Sequence, residues 1–215
     1  ILGTIRSGLG RGELGDAEKT ALEDRIAARG RGVRPSRVDL DSDGLADLFV
    51  DYAKGVDMSV DRVASMEDVP DRVADYLARE NLPANLRVAP DPSLDGIPWE
   101  KRPTLTVTRG KTDGSDEVGL TGAFAGVAET GTLIMRSGPE HPTTLNFLPD
   151  SHLVVIRKSQ IVGSYEDAWD KIRDGEMPRT VNFITGPSRT GDIEQTIFMG
   201  AHGPRRMHIV LVEDE

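Results

Sequence analysis

From Val56 onward the chain alternates short apolar runs with stretches of helical period, and few folds accept that pattern. Leu153 to Ile156 and Met207 to Val212 are nearly unbroken apolar runs, as in strands buried on both faces. Val56, Met58 and Val60 alternate like a half-buried strand, and Leu86 to Val88 and Thr104 to Thr108 read as further strands. Helix signals lie between them. Ser65 with Asp68 three residues on, and Pro70 in the first turn, open a helix carrying Val69, Val73, Tyr76 and Leu77. Ser164 with Asp167 opens another through Ala168, Trp169 and Ile172, where Trp169 is expected in the core. Trp99 is expected against the edge of the core. Such alternation implies right-handed crossovers and an α/β fold with a mostly parallel sheet covered by helices.

The first 55 residues differ in texture and are expected to form an N-terminal helical extension, leaving 56–215 as the α/β domain. Asp16 can open a helix to about Arg29 with an apolar stripe of Ala17, Ala21, Leu22 and Ile26. Leu45, Leu48, Phe49 and Tyr52 fall at i, i+3, i+4 and i+7, an amphipathic helix with a surface to cover. The glycines between Gly8 and Gly12 follow no strand, so they do not make a phosphate loop.

Composition excludes several functions. The formal net charge of -10 repels a phosphate backbone, so nucleic-acid binding is not expected. No stretch approaches the ~20 apolar residues of a membrane span. Ile1 to Arg6 has neither the apolar core nor the cleavage site of a signal peptide, and a cytoplasmic location is expected. With no Cys, the chain has no thiol nucleophile and no thiolate for an iron–sulfur cluster. No cofactor of its own is expected. His141, His152, His202 and His208 lack metal-ligand spacing, so no metal site is expected, although His202 in its turn can reach a ligand.

Two stretches carry the chemistry. In the first, Val181, Phe183 and Ile184 suggest a strand that Gly186-Pro187 ends, and a helix is expected to follow, with Asp192 and Gln195 as its capping box. Gly186, Ser188, Arg189, Thr190, Asp192 and Glu194 would then surround an anion at a helix N-terminus, Arg189 supplying a planar fork. Equally, Ser188, Thr190 and Asp192 simply cap the helix while Arg189 pairs with a nearby acid. In the second, Val118 and Leu120 suggest a strand, Thr121-Gly122 a turn, Ala123 to Ala128 a short helix of small residues and Leu133 to Met135 a strand. Glu129, Thr130, Gly131 and Thr132 lie between these last two. Glu129 is a candidate base or nucleophile, or else a carboxylate that caps local backbone. Ligands of open parallel sheets sit beyond strand carboxyl ends, so Thr121 with Glu129 and Gly186 with Ser188 and Arg189 are expected to share one crevice.

The run Thr185 to Gln195 with Gly200 to Arg206, together with Val118 to Ala123 and Ala128 to Leu133, resembles the signature of the LUD-domain family, in its lactate-utilisation branch. The resemblance implies a Rossmann-like fold of the NagB/RpiA/CoA-transferase-like superfamily. It further implies a component of L-lactate oxidation to pyruvate, acting with iron–sulfur partner proteins and lacking a redox centre of its own. The alternative it leaves open is a stand-alone enzyme on an acyl-CoA, folate-like or sugar-phosphate ligand, where Glu129 resembles the Glu nucleophile of some CoA transferases.

Overall fold

A strand whose two faces are both apolar must be covered on both sides, and the computed structural model of this chain shows how. It describes residues 1–10, 12–191 and 197–213. Residues Ile1–Val33 and Arg34–Glu215 form two compact units. The first holds helices α1 (Leu2–Gly8) and α2 (Asp16–Ala27), with Gly15 N–H donating to Glu18 at the start of α2. Leu22 and Ile26, expected to form an apolar stripe, are exposed.

The second unit begins before helix α3 (Ser42–Gly55), which Asp41 caps by accepting from Gly44 N–H at 2.8 Å. Strand β1 (Met58–Val63), helix α4 (Val69–Arg79), β2 (Asn85–Val88) and β3 (Thr106–Arg109) follow. Next come β4 (Val118–Gly122), β5 (Ala125–Val127), β6 (Thr132–Arg136), the short α5 (Thr144–Phe147) and β7 (Ser151–Arg157). The chain continues through β8 (Ile161–Val162), α6 (Tyr165–Arg173), β9 (Val181–Ile184), β10 (Arg189–Gly191), β11 (Ile197–Met199) and β12 (Arg206–Val212). Six strands make one sheet in the order β1-β12-β7-β4-β2-β3, every neighbouring pair parallel.

The central runs are continuous because alternate side chains serve opposite layers. Leu153 and Val155 of β7, with Val210 and Val212 of β12, meet Val69, Val73 and Leu77 of α4. Val154, Ile156, Ile209 and Leu211 meet Phe49, Ala46 and Ala53 of α3, the amphipathic helix. Trp99 packs against the α4-side core, as expected at its edge. The capping pairs also form, Asp68 accepting from Ser65 N–H at 3.2 Å and Asp167 from Ser164 N–H at 2.9 Å.

Three expectations need correction. Ala123 to Ala128 is not a helix: Ala125 to Val127 is β5, paired antiparallel with β6 and parallel with β8. Its small residues admit Phe49, whose Cε2 would lie 2.9 Å from a Cβ at Gly126. Val181 to Ile184 is not in the parallel sheet either; β9 is the antiparallel edge of a second, four-stranded sheet, β8-β5-β6-β9, lined by α6. Where a loop is expected around Arg189, Arg189–Gly191 is strand β10, paired antiparallel with β11; residues 192–196, with the start of the expected helix and its capping box of Asp192 and Gln195, lie outside the described residues. Among the described residues no helix is long and apolar enough to cross a membrane.

Candidate functional site

Strand order locates the site before any side chain does. The chain passes from β2 outward to β3, then returns to the other side of β2 to lay down β4, β7 and β12 in turn. The direction of winding therefore reverses between β2 and β4, and ligands of open α/β sheets bind beyond the carboxyl ends of strands at such a point. A cavity of ≈ 180 Å³ lies there, bordered by Ala89, Asp91 and Ser93 after β2 and by Thr121 to Phe124 at the end of β4. Met135, Arg136, His141, Pro142, Asn146 and Gln160 complete it. A shallower groove of ≈ 520 Å³ shares Arg136 and His141 with it and extends to Met177 and Arg179.

Asp91 anchors the polar wall. It opens the short turn Pro92–Leu94, its Oδ1 accepting from Ser93 N–H at 2.8 Å, while its Oδ2 lies 3.2 Å from His141 Nδ1. The residue is only 4% exposed. Burial by itself pushes its pKa up, but hydrogen bonds from His141 and Ser93 outweigh that and hold it below the usual carboxylate value. The same contact, opposed by burial, raises the His141 pKa. Gly122 makes room for this pair: a Cβ there would stand 2.6 Å from Asp91 Oδ2 and 2.7 Å from Ser93 Oγ.

Behind them Thr121 Oγ1 lies 2.8 Å from Nε2 of the buried His152, whose pKa burial lowers to about 4, so the ring is neutral. His152 Nδ1 is buried with no partner among the described residues. A buried orphan N–H is rarer than a buried orphan acceptor, so the proton belongs on Nε2 and Thr121 accepts it. The Thr121 hydroxyl hydrogen is thereby left for the cavity. The Arg136 guanidinium carbon sits 3.9 Å from the Phe124 ring centre, and no carboxylate pairs with it among the described residues. Asn146 is 4% exposed, and among the described residues its amide has no partner. The arrangement offers an imidazole oriented by a carboxylate, a cation and several donors. Among the described residues no cluster of three or more His, Asp or Glu is placed to hold a metal.

Of the described residues expected to form the site, Thr121 and Gly122 line this cavity and the others do not. Glu129 Oε1 accepts from Tyr165 N–H at 2.9 Å, at the first turn of α6, and its carbonyl accepts from Arg37 at 3.2 Å. Thr130, Thr132, Tyr165 and Thr185 join in a hydroxyl network at 2.7 to 2.9 Å. Gly131 and Gly186 do come together on the last turns of α3, with positive φ of 66° and 96°. A Cβ on Gly131 would lie 2.4 Å from Ala53 N, and one on Gly186 2.6 Å from the Val56 carbonyl.

Arg189 pairs with Asp57, and Thr190 faces Phe198 in the hairpin. Ser188 donates its N–H to the Pro204 carbonyl at 2.8 Å and accepts from His202 N–H at 3.2 Å. His202 borders a separate cleft of ≈ 430 Å³ with Phe147 and Asp150, next to the start of β7 and β12. Asp192 and Glu194 lie outside the described residues. The expected single crevice divides for a topological reason. Thr121 and Gly122 end β4, whereas His202, with Ser188 bonded to it and to Pro204, precedes β12, and in a parallel sheet strand ends and strand starts lie on opposite sides.

Sequence reasoning passed over Asp91, Arg136, His141, Asn146 and His152. One signal was available: Asp91-Pro92-Ser93, an Asx turn soon after the strand at Leu86 to Val88.

The family model described as LUD domain matches residues 46–212. The Lactate utilization protein C of Anoxybacillus flavithermus is 35% identical over 97 residues, 45% of this chain and 44% of that protein. Its counterpart in Bacillus subtilis is 34% identical over 102 residues, 45% of this chain and 42% of that one. The chain thus matches under half the length of these curated relatives. The crystal structure of a DUF162 family protein from Deinococcus radiodurans shares the fold, with a TM-score of 0.59 and 24% identity, covering 80% of this chain and 99% of that one.

Proposed function

This chain belongs to the LUD-domain family, and from that premise we propose that it is a component of lactate utilization whose working site is the cavity between β2 and β4. The observation that carries this is the pair of buried Asp91 and half-buried His141 at the reversal point of the sheet, beside Arg136, which no carboxylate pairs among the described residues. The names of its relatives supply the metabolic context. In this proposal the chain carries no electrons itself: it has no Cys to hold a cluster, so iron–sulfur partner proteins take them. Glu129, Thr130 and Thr132 then act as the frame of α6 and the second sheet rather than on substrate.

A second reading, a free-standing enzyme on an acyl-CoA, folate-like or sugar-phosphate ligand, draws on the outer groove, which shares Arg136 and His141 with the cavity and leaves space for a larger group. One experiment separates the two. A strain lacking the gene is complemented with the parent or with Arg136→Ala and grown on L-lactate, while purified protein is assayed with each ligand class. Growth restored by the parent and lost with Arg136→Ala is expected. Equal growth with both, or turnover of a CoA, folate or sugar-phosphate compound by the purified chain, would overturn the proposal.

A further inference from the structure

Resting on the functional proposal above, we infer that the cavity takes up an anion together with one proton, and that His141 is where the proton goes. Filling the site and charging this ring are one linked event.

The charge of the lining is the first argument. Asp91, Arg136 and His141 are the titratable side chains among the residues that line the cavity. Asp91, buried and accepting from Ser93 N–H and from His141, stays ionised, and its charge cancels that of Arg136. With His141 neutral the lining sums to zero, and with His141 protonated it carries one positive charge. An anion therefore binds better to the protonated form. By reciprocity, the bound anion favours the proton on His141 to the same degree.

The second argument is what stands around the ring. Asp91, from the turn after β2, and Glu140, on the ring's own loop, favour its charged form. Burial and Arg136, at the end of β6, oppose it. Across the outer groove Glu176 and Arg179 bring one charge of each sign. Arg136 is thus both the cation that an anion would seek and the cation that discourages protonation of His141. An anion paired with Arg136 lifts that opposition.

The third is which nitrogen responds. A carboxylate only accepts, so Nδ1 keeps its hydrogen toward Asp91 Oδ2, 3.2 Å away, in both states of the ring. The proton that comes and goes is the one on Nε2, which has no partner among the described residues. The side chain is 34% exposed and borders the outer groove, so that proton has a way to solvent. The other histidines are placed elsewhere: His152 is neutral behind Thr121, His208 is stacked on Tyr76, and His202 borders a separate cleft.

The test titrates the purified chain calorimetrically with L-lactate as the probe, at about pH 6, 7.5 and 9 in two buffers of different ionisation enthalpy, a carboxylate staying ionised throughout. Proton uptake approaching one per anion is expected where the free ring is neutral, with affinity at least tenfold weaker at the alkaline end than at the acid end. Proton NMR of the His141 ring should show its titration moved at least one unit upward by saturating L-lactate. His141→Gln is expected to bind the probe without proton uptake and with less than a threefold change over the same range. Asp91→Asn should keep the linkage and move its step to lower pH, because it removes a group that favours the charged ring. A His141→Gln chain that merely misfolds would lose binding at every pH, and the ring titration of the parent then decides. No proton uptake, a ring titration that ignores the probe, an equal pH dependence in His141→Gln, or no binding of L-lactate at any pH would each overturn the inference. If growth on L-lactate requires Arg136 and the linkage is absent, this inference falls and the functional proposal survives. If the linkage is present and growth ignores Arg136, the functional proposal falls and the linkage stands.

Discussion

Replacing Gly122 by Ala should damage the site while leaving the fold nearly intact. The new Cβ would stand 2.6 Å from Asp91 Oδ2 and 2.7 Å from Ser93 Oγ, where ordinary contact begins near 3.4 Å. Asp91 must therefore withdraw by 0.8 Å, the difference between 3.4 and 2.6 Å. Its bond to His141 is 3.2 Å long at the start, so little withdrawal breaks it. Both crowded atoms are side-chain ends that can swing aside, so the stability loss belongs at the low end of overpacking, about 1 kcal/mol.

Losing Asp91 removes what raises the His141 pKa, which then falls toward its ordinary value. Proton NMR titration of the ring, read beside a thermal melt, separates the two effects. Gly131→Ala is the contrasting control. At φ 66°, its Cβ would meet the backbone of Ala53 at 2.4 Å, and backbone cannot swing aside. That variant should lose several times more stability than Gly122→Ala and, where it folds, keep a normal His141 titration. A His141 pKa unchanged in Gly122→Ala would refute the reasoning, because Asp91 would then not need the space that glycine leaves.

Two further predictions follow from buried groups. Glu129→Ala removes the carboxylate that accepts from Tyr165 N–H and should cost about 1–2 kcal/mol while leaving complementation for growth on L-lactate unchanged; a loss of growth with stability intact would return Glu129 to the site. His152 and His208 are both held neutral by burial, with pKa lowered from 6.5 to about 4, so the unfolded chain takes up protons first and stability present above pH 6.5 is lost as pH falls toward 4. At pH 5 each should forfeit about 2 kcal/mol, 1.5 units at 1.36 kcal/mol, and urea melts of His208→Gln should show a shallower pH slope than the parent's; an equal slope would remove His208 from the account.

How much of this was legible follows from what each signal depends on. The double-faced runs at Leu153 to Ile156 and Met207 to Val212 announce a covered parallel sheet because burial on both faces leaves no polar alternation. Ser65 with Asp68, and Ser164 with Asp167, were readable because a cap is a local bargain between residues three apart. β5 was not. Its Ala125-Gly126-Val127 is small because Phe49, 77 positions earlier, needs the room, and small residues read equally well as helix. The Asp91–His141 pair was hidden for the same reason, since it joins residues 50 positions apart through a gap at Gly122 that only strand order creates.

Specificity of a motif and chemistry of a site are separable in this fold. The Thr185-Gly186-Pro187 corner is constrained by packing: Gly186 has φ 96° and lies hard against the Val56 carbonyl, and Thr185 closes the hydroxyl network with Thr132. Those contacts fix the end of α3 against the second sheet, and they account for the glycine at this corner without invoking a ligand. The cavity depends instead on one strand-end glycine, one Asx turn and a cation at the end of β6, each unremarkable alone. They become a site because the sheet reverses its winding between β2 and β4 and leaves their side chains facing a common space. A substitution at the corner should therefore lower stability first and binding only as a consequence, whereas one at Asp91, Arg136 or Gly122 should lower binding first.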